Sequence, residues 1–307
     1  MEKHFAVTRT KLAEAVAKIK LFGLDYDGTV YNGIDYKVDE AIRLVEKILD
    51  KNKSIAFITG RAATALKTLG PPLQQLLKRK NIVTPVFISG GNGAILYEVK
   101  QDEMVEIYNH GFELPQIIHA VAAGRKVYQE LGISRGDLSE EGLETFSNFL
   151  QEDWEGYIPV EILAVCRPYN GEIFTENAKV TFVLPKDKSL GKDITARVRI
   201  ELGKEFVAIS GKNFMEITKK FGEDGKATAI KTILKLTGLD NFQVATFGDM
   251  PGGNDIGLLS FPYSFTNSEE FLTTKNDLEK PPYLLHRLEL SPIGRVHSAV
   301  EYLLKDV

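Results

Sequence analysis

The chain has 307 residues, 43% hydrophobic and 26% charged, with a formal net charge of −4 and a pI near 5.9. That length exceeds the usual single core and predicts two domains. The acidic balance argues against a nucleic-acid binder, which would carry a basic face, and no long uncharged apolar stretch suggests a membrane span. The single cysteine, Cys166, excludes an internal disulfide framework, and its setting, "EILAVCR", reads as burial of a small hydrophobe. These features fit a cytoplasmic protein.

In chain order, "MEKHFAVTRTKLAEAVAKIK" lacks the apolar core of a secretory signal and reads as a polar segment leading into a short amphipathic helix. "KLFGLDYD" is an apolar run ending in polar residues, the pattern of a buried parallel strand. In "KVDEAIRLVEKILDKN", Val38, Ala41, Ile42, Val45, Ile48 and Leu49 recur at the helical period. "SIAFITGR" is a second buried strand. "AATALKTL" predicts a helix stopped by Gly70, Pro71 and Pro72. Strand, helix, strand, helix with these loop lengths predicts a parallel sheet with right-handed crossovers. "VFISGGNGAILYE" reads as strand, glycine turn, strand.

From about residue 100 to 210 the regular alternation stops. A long helix around "LPQIIHAVAAGRKVYQEL" and isolated strands, "AKVTFVLP" and "EFVAIS", predict a separate α+β module. "KDKSLGKD" reads as a solvated surface loop. The alternation then resumes with a helix, "GKATAIKTILKLTG", closed by Gly238. The strands "FQVATFGD" and "FPYSFTNS" follow, and "IGRVHSAVEYLLKD" is the last helix. The expectation is therefore an α/β fold: a Rossmann-like core with a parallel sheet and helices on both faces, interrupted by an inserted α+β domain. The boundaries expected are 1–94 and 209–307 for the core and 95–208 for the insertion.

Ligands of open parallel sheets bind beyond the carboxyl ends of the strands. Here those ends carry a convergent set. The first strand delivers Asp25, Asp27 and Thr29; the second delivers Thr59, Gly60 and Arg61; a later one delivers Gly248 and Asp249, then Asn254 and Asp255. Lys226 stands at a helix start. Two carboxylates as close as Asp25 and Asp27 oppose each other's ionisation. The pair therefore points to a metal site or to a split acid and base, against the simpler reading of a turn.

"LDYDGT", "ITGR", a lysine at a helix start and "GDxxxxND", in that order, resemble the haloacid dehalogenase superfamily of phosphohydrolases. The branch most resembled has a large α/β cap inserted between the second and third motifs, as in Cof-type and sugar-phosphate phosphatases. The resemblance covers residues 20–92 and 211–307 and implies that the insertion is a cap. It implies Asp25 as the nucleophile, forming an aspartyl phosphate, and Asp27 as general acid and then base. Thr59, Gly60 and Lys226 would bind the phosphoryl group. Mg²⁺ would be held by Asp25, Asp249 and the backbone carbonyl of Asp27, with Asn254 and Asp255 supporting its shell. Arg61 and Asn92 are candidates to face substrate, and the glycines around Asn92 a candidate hinge into the insertion.

The physical chemistry of these roles is self-consistent. Residues i and i+2 of an extended segment point to one side, so Asp25 and Asp27 can address one substrate. A carboxylate nucleophile splits one hard displacement into two easier ones. It must meet an anionic phosphate, so cations are required, and Mg²⁺ suits a carboxylate-rich, histidine-poor site.

Two features depart from the family pattern. Lys226 is preceded by Gly225 and followed by Ala227, where the family usually places glycine after the lysine; Lys219 and Lys220 fit the spacing less well. The last motif carries two extra residues, and "PGGND" resembles the form in eukaryotic-type phosphomannomutases. "SPIGR" also occurs in those mutases, but here it follows the last motif and reads as a helix start near Pro292. Trp154, in "EDWEGYIPVE", reads as packing rather than a sugar platform. His110, His119, Arg125, Arg135, Arg167, Arg197 and Arg199 show no ligand spacing. The function expected is an Mg²⁺-dependent phosphatase acting on a small phosphorylated metabolite, a sugar phosphate first. A phosphomannomutase-like phosphomutase is the alternative, followed by a non-catalytic binding protein. A dehalogenase would need neither Asp27 nor a metal. The partner expected is the small-molecule substrate, with no nucleic acid or membrane, in a monomer or weak homodimer.

Overall fold

The structure is a computed structural model in which residues 2–211, 213–220, 225–251, 253–268, 282–285 and 290–305 are described. In chain order, the first stretch forms α1 (Glu2–Ala15), β1 (Leu21–Leu24), α2 (Val38–Leu49), β2 (Ser54–Ile58), α3 (Ala63–Lys80), β3 (Val86–Gly90), β4 (Ile95–Val99) and β5 (Met104–Asn109). The middle forms α4 (Leu114–Glu130), α5 (Glu140–Gln151), α6 (Val160–Cys166), β6 (Ile173–Thr175), β7 (Lys179–Val183), α7 (Lys188–Leu202), β8 (Phe206–Ser210) and β9 (Phe214–Lys219). The last stretch forms α8 (Gly225–Thr237), β10 (Val244–Gly248), β11 (Tyr263–Thr266), β12 (Tyr283–Leu284) and α9 (Pro292–Leu303). Among the described residues no helix is long and apolar enough to cross a membrane.

Eight strands form one sheet in the order β12–β11–β10–β1–β2–β3–β4–β5. β12 through β3 run parallel, and β4 and β5 return antiparallel at the edge. The chain proceeds outward from β1 through β2 and β3, then restarts on the other side with β10, so the order reverses between β1 and β10. Strands β1, β2, β3 and β10 are buried throughout, as their unbroken apolar runs predict. α2 turns Ala41, Leu44, Val45, Ile48 and Leu49 inward.

The second unit has its own four-stranded antiparallel sheet, β6–β7–β9–β8. Its core includes Phe146, Phe174, Phe182, Met215 and Cys166. Trp154 belongs there too, packed on Phe149 and Phe174, with its indole N–H donating to the Phe149 carbonyl at 2.7 Å. The compact units divide after Asn109 and after Phe221, with Ala62–Thr64 grouped with the second unit. The first cut therefore falls after Asn109 rather than after residue 94, because β4 and β5 pair onto β3 and complete the large sheet. The other cut falls after Phe221 rather than after residue 208, because β9 pairs between β7 and β8.

Two local expectations are corrected. α3 does not stop at Gly70 but runs through Pro71 and Pro72 to Lys80. A proline inside a helix costs about 3 kcal/mol, but Leu69, Leu73, Leu76 and Leu77 continue the buried stripe across it. Gly70 serves packing there, since a Cβ would lie 2.6 Å from the Met104 sulfur. "KDKSLGKD" is likewise not a loop throughout. Asp187 caps α7, accepting from the Ser189 N–H at 2.8 Å. Pro292 does open a helix, with Ser291 as its cap.

Candidate active site

The strand ends on either side of the β1/β10 reversal bring four functional segments together. Asp25 follows β1, its N–H donating to the Phe247 carbonyl at 2.9 Å, and it is only 4% exposed. The Thr29 hydroxyl donates to Asp25 Oδ2 at 3.3 Å. Lys226 reaches this carboxylate from the first turn of α8, with Nζ 2.6 Å from Asp25 Oδ1 and 2.6 Å from Asp255 Oδ1. The close seating of α8 follows from Gly23 in β1, where a Cβ would lie 2.7 Å from the Ile230 Cδ1 atom. Ile230 stands one turn after Lys226, so the contact that admits the helix also delivers the ammonium. Lys219 ends β9 in the second unit, and the Lys220 N–H pairs with the Glu205 carbonyl; neither belongs to this cluster.

The two extra residues of the last motif do not displace its terminal acid. Asp255 is fully buried, and its Oδ2 accepts the N–H groups of Asp249 and Met250, each at 3.0 Å. Gly252 of that motif lies outside the described residues. Asp249 packs directly on Gly28. With Gly28 at φ +75°, an added Cβ would lie 2.2 Å from Asp249 Oδ2, so both the backbone conformation and the space require glycine. Asn254 donates through Nδ2 to Asn92 Oδ1 at 3.3 Å. Asn92 is left-handed, at φ 56°, and its N–H donates to the Thr59 carbonyl at 3.0 Å. The turn carrying Asn92 joins β3 to β4 inside the large sheet, so its glycines do not lead into the second unit. Instead Gly93 backs onto α8, where a Cβ would meet the Gly225 carbonyl at 2.3 Å.

Thr59 is fully buried, and its hydroxyl accepts the Arg61 N–H at 3.1 Å. Gly60 lies between them on the turn. Arg61 grips Asp27 with a fork, Nε to Oδ2 at 2.9 Å and Nη2 to Oδ1 at 2.7 Å. Its guanidinium lies 5.2 Å from the centroids of both the Tyr26 and Tyr31 rings, which stack 4.7 Å apart. The fork and the aromatic faces together favour the charged guanidinium. Tyr26 lies inside "LDYDGT", but nothing in that string signals its ring's contact with Arg61; Asn267, whose Nδ2 donates to the Gly28 carbonyl at 3.0 Å, lies in no motif.

Electrostatically the cluster is short of positive charge. Burial, then the neighbouring Asp255, raise the Asp25 pKa well above the carboxylate range despite Lys226. Burial and Asp255 push Asp249 up to about 7. Burial alone would lower the lysine, but Asp25 and Asp255 outweigh it and keep Lys226 firmly protonated. Three acids thus share one ammonium. Asp25, Asp249 and Asp255 each offer a carboxylate oxygen, and these atoms lie within 4.8 Å of one another. An all-oxygen donor set with surplus negative charge fits a hard divalent cation such as Mg²⁺. Asp255 already spends both oxygens on Lys226 and backbone N–H groups, which leaves Asp25 and Asp249 as the better placed donors.

Comparison with known proteins agrees with this geometry. The structure is similar to an HAD/COF-like hydrolase from Plasmodium vivax (21% identity, 97% of each chain covered, TM-score 0.59). It is also similar to a haloacid dehalogenase-like hydrolase from Bacteroides thetaiotaomicron (19% identity, 92% of this chain and 99% of that one, TM-score 0.60). A third similar structure is the N-terminally truncated, IMP-bound IMP-nucleotidase from Plasmodium falciparum (12% identity, 98% of this chain and 72% of that one, TM-score 0.58). At these identities the likeness is one of fold. No curated protein matches the chain closely enough to count as a relative. The profile of the haloacid dehalogenase-like hydrolases matches residues 22–265. A match over most of the chain, with the acids and lysine gathered at one sheet edge, settles membership: this chain belongs to the haloacid dehalogenase-like hydrolase family.

Proposed function

We propose that the chain hydrolyses a small phosphorylated metabolite, a sugar phosphate first, through an aspartyl-phosphate on Asp25 and with Mg²⁺. In class it is a phosphoric monoester hydrolase; the route and the substrate are the proposal. The observation that carries it is the buried Asp25–Lys226–Asp255 cluster with the Asp249 carboxylate beside it.

In this reading Asp25 attacks phosphorus through Oδ2, the oxygen not paired with Lys226. The P–O bond to the alcohol breaks as the acyl-phosphate bond forms, and Asp27 gives the departing oxygen its proton. Asp27 then takes a proton from water, whose oxygen attacks phosphorus, releasing inorganic phosphate and restoring the Asp25 carboxylate. Lys226 balances charge on Asp25 and on the phosphoryl oxygens. Thr59, with the Gly60 turn, directs hydrogen-bonding groups to the same oxygens. Asp25, Asp249 and the Asp27 backbone carbonyl would hold Mg²⁺, whose charge offsets the repulsion between carboxylate and phosphate. The Arg61 fork fixes the orientation of the Asp27 carboxylate; an incoming phosphate competes for the guanidinium and releases that carboxylate towards the departing oxygen. The second unit serves as the cap that reads the leaving group.

Four arginines of that unit are already engaged, which favours hydrolysis over mutase chemistry requiring a second phosphate site. Arg125 and Arg135 pair with Glu172, Arg197 pairs with Asp193, and Arg199 donates to the Ala208 carbonyl. The test is phosphate release from a panel of sugar phosphates, nucleoside monophosphates and phosphorylated cofactors, with Mg²⁺ and with EDTA. Mg²⁺-dependent release that EDTA abolishes is expected, strongest on a sugar phosphate. Isomerisation that needs a sugar bisphosphate and frees no phosphate would establish the mutase. No turnover of any ester would overturn both readings.

A further inference from the structure

Asn267 stands at the end of β11 and is 1% exposed. Its Nδ2 donates to the Gly28 carbonyl at 3.0 Å, while its buried Oδ1 has no partner among the described residues. A half-satisfied buried amide is a poor stabiliser, because the unpaired oxygen loses its water without replacement. Gly28, the residue it holds, is the one the site can least leave to itself. Glycine explores conformations closed to other residues, yet Gly28 must keep φ +75° with its Cα against the Asp249 carboxylate. Two hydrogen bonds pin it from opposite sides. The Gly28 N–H donates to the Tyr31 carbonyl at 2.9 Å, fixing the peptide before it, and Asn267 fixes the peptide after it.

We propose that Asn267 is a positioning residue for the metal site: it locks the Gly28 peptide so that Asp249 lies beside Asp25 in the geometry a divalent cation needs. This rests on the reading of Asp25 and Asp249 as cation ligands. Asn267 follows β11, whose Thr266 pairs with Gly248 of β10, and its amide reaches the Gly28 carbonyl in the loop after β1, so it links the strand pair that leads to Asp249 with the segment that carries Asp25. Residues that orient ligands in this way typically set metal affinity by about 10–100-fold.

The test is Mn²⁺ binding by calorimetry to the full-length, chelator-stripped protein, comparing wild type, N267L, N267S and T246V. N267L keeps side-chain volume and also removes the unpaired oxygen. N267S is smaller and lacks the amide, which covers the case in which leucine does not fold. Thr246 is fully buried in β10 with a hydroxyl lacking a partner among the described residues, so T246V controls for removing a buried polar atom nearby. Mn²⁺ binding about 10–100-fold weaker in N267L and N267S is expected, with a wild-type thermal midpoint in at least one of them and wild-type Mn²⁺ affinity in T246V. Activity should then return at saturating Mg²⁺, the defect lying in the metal concentration required rather than in kcat. Wild type binding Mn²⁺ with N267L and N267S unchanged would overturn the role of Asn267 alone. Wild type failing to bind Mn²⁺ would overturn the metal reading and this inference with it.

Discussion

Replacing Gly28 by alanine separates backbone strain from damage to the site. Alanine at φ +75° pays about 1–2 kcal/mol for the left-handed conformation. Gly132 provides the comparison: it has φ +65°, and an added Cβ there meets nothing within 4 Å. G132A therefore carries the strain alone. In G28A the new Cβ would sit 2.2 Å from Asp249 Oδ2 and 2.7 Å from its Cγ, so the carboxylate must swing away from Asp25. Chemical denaturation should show G132A destabilised by about 1–2 kcal/mol and G28A by at least as much, since it carries the displacement of Asp249 as well. Only G28A should lose hydrolysis of p-nitrophenyl phosphate, by about 100-fold or more, the usual effect of a misplacement near 1 Å. Mn²⁺ binding should weaken in G28A and not in G132A. G28A turning over at the wild-type rate would refute the claim that Asp249 must lie against Gly28.

K226M leaves Asp25 and Asp255 buried without their shared cation and should destabilise the fold by about 3–5 kcal/mol in EDTA; an unchanged denaturation midpoint would contradict the charge balance described. R61K keeps the charge but loses the fork on Asp27. Because that carboxylate is half exposed, stability should move by less than about 1 kcal/mol, while kcat for phosphate release should drop by about tenfold or more as Asp27 loses its orientation. Burial lowers the pKa of His297, whose ring packs 4.9 Å from that of Tyr36. Neutral imidazole is thus favoured by the fold, so its contribution is complete above the unfolded pKa of about 6.5 and is lost as pH falls below it. Thermal midpoints between pH 5 and 8 should slope less in H297Q than in wild type.

The site was legible where function and secondary structure coincide. A parallel sheet delivers polar residues at its strand ends, so Asp25, Thr59 and Asp249 can be located from apolar runs alone, and Lys226 from a helix start. Less legible was anything decided by distant packing. Whether prolines end α3 depends on Leu73, Leu76 and Leu77 finding a core beyond them. The limits of the second unit depend on β4 and β5 pairing onto β3, and on β9 entering between β7 and β8. The Asn92 turn reads equally well as a hinge or as a hairpin until its partner strand is known. Asn267 contacts a residue 239 positions away, and no local pattern in "SFTNS" distinguishes it from the last residue of an ordinary strand. Arg61 carries a motif, but its engagement with Asp27 is a tertiary fact.

Covalent capture of the phosphoryl group on Asp25 tests the central claim most directly. The protein would be mixed with Mg²⁺ and a ³²P-labelled ester that it turns over, then quenched in acid within one turnover. The label should remain on the protein, map to the peptide holding Asp25, be released by hydroxylamine as an acyl phosphate is, and be absent from D25N retaining the wild-type fold. Label on another residue, or wild-type turnover by D25N, would contradict Asp25 as the phosphoryl acceptor.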